Sequence, residues 1–151
     1  MKHKGIRITL AISEACIGLG ALGGGIALLI GAFDQWLPVA FLQGTPFSDY
    51  LIPGLVLTIV IGGGMLLASA TQFIQREWIV LLSAAMGLIM IGWEIVEVAI
   101  IDRYEQAVVP SAIVQQVLFS VLGLVIFGLA TYLWMAEYRS HSFFSKHVNH
   151  A

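Results

Sequence analysis

Four runs of about 20 apolar residues dominate this sequence, and each is long enough to cross a hydrocarbon core of about 30 Å. A segment of this kind must satisfy its backbone hydrogen bonds internally, so it crosses a bilayer as a helix. We therefore predict an all-α fold, namely a polytopic membrane protein with an antiparallel bundle of four transmembrane helices. The predicted spans are residues 6–33, 53–74, 78–101 and 111–135.

The composition agrees with a membrane domain. Of the 151 residues, 59% are hydrophobic and 11% are charged, whereas a soluble domain carries about 25% charged residues. One transmembrane domain, residues 1–138, accounts for nearly the whole chain, and residues 139–151 form a polar tail. The lipid bilayer is the expected partner, and no nucleic-acid partner is expected. The first run is read as a retained helix rather than a secretory signal, since it is too long and contains Glu14.

The positive charges predict the orientation. With four spans, all but one of them fall on one side, and only Arg103 falls on the other. By the positive-inside rule, both termini and the tail at 139–151 should face the cytoplasm. The charges on the predicted inner side are Lys2, Lys4, Arg7, Arg76, Arg139 and Lys146.

The segment at residues 34–52 is the only long loop between predicted spans, and it is rich in aromatic residues and proline. Aromatic side chains favour the headgroup level of a bilayer, so we expect an outer interfacial loop. One interpretation is a lid over the outer end of the bundle, and the other is a surface anchor, which we favour. Pro53 suits the first turn of the second helix, where its missing N–H costs nothing.

Two glutamates, Glu94 and Glu97, interrupt the third apolar run. Residues three and four apart share a helix face, and each predicted helix carries one stripe of small and polar residues. Antiparallel alignment of the third and fourth stripes pairs Glu97 with Gln116 and Glu94 with Ser120. It also pairs Met90 with Gly123 and Gly87 with Phe127. The sequence thus predicts an outer polar site of Glu94, Glu97, Gln116, Ser120 and Thr58.

An inner polar site is expected around Glu14, with Ser69 and Ser83 and with Gln72 as a further member. Ionisable residues inside a membrane are functional candidates by default. Two carboxyls at i and i+3 in a low dielectric should not both be ionised at neutral pH, and we expect them to titrate as one unit. The alternative is structural, with neutral Glu94 and Glu97 hydrogen-bonded to Gln116 and Ser120.

Cofactor chemistry has little support in the sequence. Cys16 is the only cysteine, so a dithiol centre within one chain is excluded. All four histidines lie in the terminal tails, which leaves the spans without haem or metal ligands of this type. We therefore expect no cofactor and no metal site. We predict a non-enzymatic carrier or an accessory subunit, alone as a homo-oligomer or with a larger membrane partner. The alternative is an isomerase-like enzyme acting on a lipid-like substrate.

Two segments carry a resemblance to known proteins. The loop "LQGTPFSDYLIPGLVL", Leu42–Leu57, and the later "GLIMIGWEIVEV" are similar to a group of small four-span bacterial membrane proteins. That group has a Gly-Ser/Thr-Pro-Phe…Tyr…Ile/Val-Pro-Gly first outer loop and a Gly-Trp in the third span. The likeness covers Gly31–Glu97. It implies a four-span architecture in a bacterial cytoplasmic membrane, and it implies no activity and no catalytic residue.

Overall fold

The structure, a computed structural model, describes residues 3–35, 37–101 and 110–139. It is helical, and no strand occurs in those ranges. The helices are α1 (Lys4–Leu29), α2 (Leu51–Thr71), α3 (Glu77–Ile101) and α4 (Pro110–Trp134), the last continued by a π-helical turn, Met135–Arg139. All four helices are long and apolar enough to cross a membrane. The predicted all-α architecture with four spanning helices is confirmed.

The four helices form an up-down-up-down ring, in which α1 packs on α2 and α4, and α3 packs on α2 and α4. The core between them is apolar and fully buried at Leu10, Met65, Ile126 and Leu133. The end of the bundle that carries the α1–α2 loop is named the loop end. The opposite end, with His3 and Arg139, is named the terminal end.

Helix α1 stops four residues before the predicted end at residue 33, because a glycine closes it. Gly31 adopts a φ of 71°, a left-handed conformation that glycine reaches without a steric penalty. The Gly31 N–H bonds to the Leu28 carbonyl at 3.2 Å, and the Ala32 N–H bonds to the Ala27 carbonyl at 2.9 Å. This pair of bonds is the Schellman motif that ends many helices.

Helix α2 contains a wide stretch in its middle. Residues Val56–Gly63 adopt π-helical hydrogen bonding, between α-helical turns at Leu51–Leu55 and Gly64–Thr71. Pro53 lies in the first turn, as predicted, and the Gly54 N–H makes a helical bond to the Tyr50 carbonyl at 2.9 Å. π-Helical turns within α-helices often occur at functional sites.

Helices α1 and α2 approach each other closely through glycines. A Cβ atom added at Gly25 would lie 2.9 Å from the Gly54 carbonyl oxygen, and one at Gly18 would lie 3.1 Å from the Gly62 carbonyl oxygen. Small residues allow such contact between helix backbones, which is a main source of helix association in lipid. Glycines of α1 and α2 therefore meet at one interface.

Helices α3 and α4 show the same kind of contact. A Cβ atom at Gly87 would lie 2.8 Å from the Phe127 backbone nitrogen and 2.8 Å from the Gly123 carbonyl oxygen. The predicted pairing of Gly87 with Phe127 is confirmed. Gly123 differs from its prediction, since its nearest neighbours are Ile91 and Gly87 rather than Met90. Contact between the Gly87 and Gly123 backbones determines which residues of α3 and α4 lie opposite each other.

The α1–α2 loop folds back onto the bundle. A short 3₁₀ turn, Val39–Leu42, lies against α3 at the loop end. Leu42 is buried within it, whereas Val39 is half exposed. Two predicted regions lie outside the described residues, namely the outer 102–109 connection and the tail at 140–151.

Candidate functional site

Buried polar side chains from all four helices meet at the terminal end. Glu14 of α1, Gln72 just after α2, and Ser83 of α3 each have 0% exposed surface. The Gln72 Nε2 group donates to Glu14 Oε2 at 3.0 Å and to Ser83 Oγ at 2.6 Å. One amide group therefore joins three segments of the bundle. These residues, with two from the charged pair described next, form the terminal-end cluster: Arg7, Glu14, Gln72, Ser83 and Glu137.

Arg7 extends the cluster to the end of α4. Its NH1 group donates to the Gln72 backbone oxygen at 2.8 Å, and its NH2 group pairs with Glu137 Oε2 at 2.6 Å. The same NH2 group donates to the Tyr138 hydroxyl at 3.3 Å. Arg7 is fully buried, and Glu137 is 14% exposed. Since a buried charge is costly unless it is paired, this ion pair is what allows a guanidinium group inside the bundle.

Three polar atoms of the terminal-end cluster have no hydrogen-bond partner within the described residues, namely Arg7 Nε, Glu14 Oε1 and Gln72 Oε1. Buried polar atoms in native proteins nearly always have a partner. Two of the three are oxygens, and they belong to the two groups that the 3.0 Å bond joins. The cluster therefore holds two unused acceptor oxygens, on two hydrogen-bonded and fully buried side chains.

Of the predicted inner residues, the structure brings Glu14, Gln72 and Ser83 together. Ser69 lies elsewhere on the α1–α2 interface, where its Oγ donates to the Ala11 carbonyl at 2.7 Å. This hydrogen bond links α2 to α1 and does not involve the Glu14 carboxylate.

The loop-end half of α3 carries the Glu94–Glu97 pair. Glu94 is 5% exposed, and its Oε2 atom has no hydrogen-bond partner in the part of the chain that the structure describes. Glu97 is half-buried, and its Oε1 accepts a hydrogen bond from Trp93 Nε1 at 2.8 Å. The two carboxyls therefore differ, because a donor stabilises the charged form of Glu97 and none does so for the Oε2 of Glu94.

The other predicted members of the outer site make no hydrogen bond to this pair within the described part of the chain. Gln116 and Ser120 of α4 are half-buried, and no hydrogen bond joins either of them to Glu94 or Glu97. Trp93, one turn away on the same helix, bonds to Glu97 instead. Thr58 lies in the π-helical part of α2 at the α1–α2 interface, close to Gly25, and its buried Oγ1 has no hydrogen-bond partner in the described ranges.

Local hydrogen bonds explain several residues of the α1–α2 loop. Gly44 has a φ of 83°, and the next residue, Thr45, donates its hydroxyl to the Leu42 carbonyl at 2.7 Å. Asp49 Oδ1 accepts the Leu51 N–H at 3.0 Å where α2 begins. Burial, followed by the charge of Asp34, raises the pKa of the Tyr50 phenol, which donates to the Pro38 carbonyl at 3.4 Å. Backbone conformation and local hydrogen bonds therefore account for these four loop residues, Gly44, Thr45, Asp49 and Tyr50.

Arg7 and Glu137 are the site residues that sequence reasoning missed, because Arg7 was counted only among the flanking positive charges. Two signals point to them. Arg7 precedes Glu14 by seven residues, so both lie on one face of α1. Glu137 supplies an opposite charge at the same end of the bundle.

The chemistry of both sites is that of carboxylates rather than of transition-metal ligands. Among residues 3–35, 37–101 and 110–139, no group of three or more His, Cys, Asp or Glu side chains could hold a metal ion. No protein-family model, curated protein or solved structure matches this chain. The two buried carboxylate sites are therefore the features on which a function rests.

Proposed function

We propose that this protein is a small non-enzymatic membrane carrier that binds and releases protons at the Glu94–Glu97 pair. The observation that supports this most is the buried Oε2 of Glu94, which has no hydrogen-bond partner among the described residues. An ionised carboxylate in this position would carry an uncompensated charge in a low dielectric, and protonation removes that charge. Glu94 is then the proton-binding member, and Glu97 stays bonded to Trp93.

The positions of the other candidates support the same role. Glu14 provides a second buried carboxylate, in the terminal-end half of the bundle. A carrier must reach its sites from each side of the membrane in turn, and the bundle has one carboxylate site towards each end. Thr58, Gln116 and Ser120 offer further polar groups in the same loop-end half of the bundle.

We further propose a bacterial cytoplasmic membrane with both termini in the cytoplasm, on the basis of the positive charges and the resemblance above. Association into homo-oligomers is supported by glycines that face away from the bundle. Gly20 and Gly23 on α1 and Gly128 on α4 have no other atom within 4 Å of an added Cβ, so a second helix could approach closely there.

Proton flux into proteoliposomes tests the carrier function. A pH gradient is imposed across vesicles that hold a pH-sensitive dye, and a potassium ionophore prevents charge build-up. We expect the gradient to decay faster with the wild-type protein than with Glu94→Gln or with the double variant Glu94→Gln, Glu97→Gln. Glu77→Gln is the matched control, since Glu77 is exposed and Gln keeps an acceptor for Trp134. Equal decay in wild type and double variant would contradict the proposal.

An accessory membrane subunit is the second candidate. It is supported by the wide apolar surface of α4. Only 17% of the most apolar 18-residue stretch of this helix is buried within the bundle. Such a subunit would copurify with a larger membrane protein, and the same substitutions would change assembly rather than flux. The isomerase-like alternative has a separate test, since an isomerase would turn over a lipid-like substrate without any gradient.

A further inference from the structure

We propose that Glu14, Gln72 and Ser83 form a binding site for one monovalent alkali cation. This site lies in the terminal-end half of the bundle, apart from the Glu94–Glu97 pair. The folded protein can bind a cation here whether or not it carries protons, so the inference does not rest on the carrier function.

The oxygens at this position are of the kind that alkali cations bind. Glu14 Oε1 and Gln72 Oε1 are fully buried and have no hydrogen-bond partner among residues 3–35, 37–101 and 110–139. Ser83 Oγ accepts a hydrogen bond from the Gln72 amide nitrogen at 2.6 Å, so a hydroxyl oxygen belongs to the same cluster. Carboxylate, amide and hydroxyl oxygens are hard ligands, which favour hard cations over the softer transition metals.

The net charge of the cluster determines which ion it can bind. Arg7 donates to Gln72, Glu137 and Tyr138, and it makes no bond to Glu14. Arg7 and Glu137 therefore neutralise each other, and an ionised Glu14 leaves one negative charge. A monovalent cation balances that charge. A divalent ion would leave a positive excess, and calcium needs about six to eight oxygen ligands, more than these three residues supply.

The surrounding elements also favour a cation. Gln72 directly follows Thr71, the last residue of α2, and the carboxyl end of a helix carries partial negative charge. The ion pair of Arg7 and Glu137 lies on the terminal-end side of Glu14, since Arg7 is two helical turns nearer the start of α1. The charged and titratable groups that face this region are Arg7 from α1 and Glu137 and Tyr138 from the end of α4.

Thermal unfolding of the purified full-length protein in detergent tests this inference. Unfolding is followed by circular dichroism in increasing NaCl or KCl, against equal concentrations of choline chloride, which match the ionic strength. We expect Tm to rise and saturate with NaCl or KCl and to show no such rise with choline, because a ligand that binds only the folded state stabilises it. If NaCl, KCl and choline chloride gave the same curve, the site would not exist.

Three variants locate the effect. Glu14→Gln should abolish the difference between alkali cations and choline, and a difference that survived in this variant would overturn the assignment. Ser83→Ala keeps the carboxylate and removes one oxygen, so we expect the apparent cation affinity to fall about tenfold. If Glu14→Gln does not fold, an unchanged affinity in Ser83→Ala overturns the proposal.

Glu77→Gln is the matched control, because it removes an exposed carboxylate at the same end of the bundle. It should keep the cation response of the wild type, and loss of the response there would also contradict the assignment. The two proposals fail separately, since a wild-type protein that responds to the cation and carries no proton flux would contradict only the carrier function.

Discussion

The Gln72 side chain donates a 3.0 Å hydrogen bond to the Glu14 carboxylate, across 58 positions of sequence. The two residues meet because glycines bring α1 and α2 into backbone contact. The same amide group donates to Ser83 on α3, and the backbone carbonyl of Gln72 accepts a hydrogen bond from Arg7. One residue at the end of α2 therefore connects the packing of the helices to the buried charges.

The α1–α2 interface should be sensitive to a single added methyl group. A Cβ at Gly25 would clash with the Thr58 hydroxyl and would lie 2.7 Å from the Thr58 backbone nitrogen. We expect Gly25→Ala to lower the free energy of unfolding by about 1–3 kcal/mol, the usual cost of overpacking, as measured by thermal unfolding in detergent. Gly5→Ala, on the same helix and with nothing within 4 Å of its added Cβ, should have no effect or a small stabilising one.

The α3–α4 interface offers a second test of the packing. In Gly87→Ala the new methyl group would meet backbone atoms of Gly123 and Phe127, both at 2.8 Å, and backbone cannot move aside as a flexible side chain does. We expect a loss of stability of about 1–3 kcal/mol in chemical denaturation. Gly92→Ala on the same helix is the control, since nothing lies within 4 Å there. Equal stability of the two variants would contradict the close contact of α3 and α4.

The ion pair of Arg7 and Glu137 should be strongly coupled. Arg7→Met leaves Glu137, which is 14% exposed, without its partner, and we expect a loss of about 3 kcal/mol. Glu137→Gln leaves a buried guanidinium and should cost at least as much. The double variant should lose less than the sum, as a double-mutant cycle would show. Arg76→Met, at an exposed arginine of the same end, is the control and should be close to wild type.

The hydrogen bond from Trp93 should control the protonation of the loop-end pair. Trp93→Phe keeps an aromatic ring and removes the donor that lies 2.8 Å from Glu97. Because that bond favours the ionised carboxylate, its loss should increase the protonated fraction at a given pH. Infrared spectra at fixed pH should then show a larger protonated-carboxyl band than wild type. Trp78→Phe, at an exposed tryptophan, should leave the band unchanged.

Much of the fold could be predicted from the sequence, because lipid imposes simple rules on it. The length of the apolar runs predicted the four spans, and alignment of the stripes of small and polar residues placed Gly87 opposite Phe127. The end of α1 was missed because the Schellman motif at Gly31 lies inside an apolar run that would otherwise continue the helix. The π-helical stretch in α2 has no signal in hydropathy, since widening of a helix depends on its neighbours.

The candidate sites were only partly predictable, for a physical reason. A stripe of polar residues shows which face of a helix is buried, but it does not show which donor reaches which acceptor. Glu97 accepts from Trp93 on its own helix rather than from Gln116, and Arg7 lies inside the bundle rather than on its flank. Both outcomes depend on side-chain reach and on the register between helices.

An infrared pH titration of the reconstituted protein, from about pH 8 to about pH 5, tests the central claim most directly. We expect a protonated-carboxyl band that grows as the pH falls and that is lost in Glu94→Gln, while Glu77→Gln resembles wild type. A band that stayed constant over this range, or that was unchanged in Glu94→Gln, would contradict the claim that Glu94 binds and releases a proton.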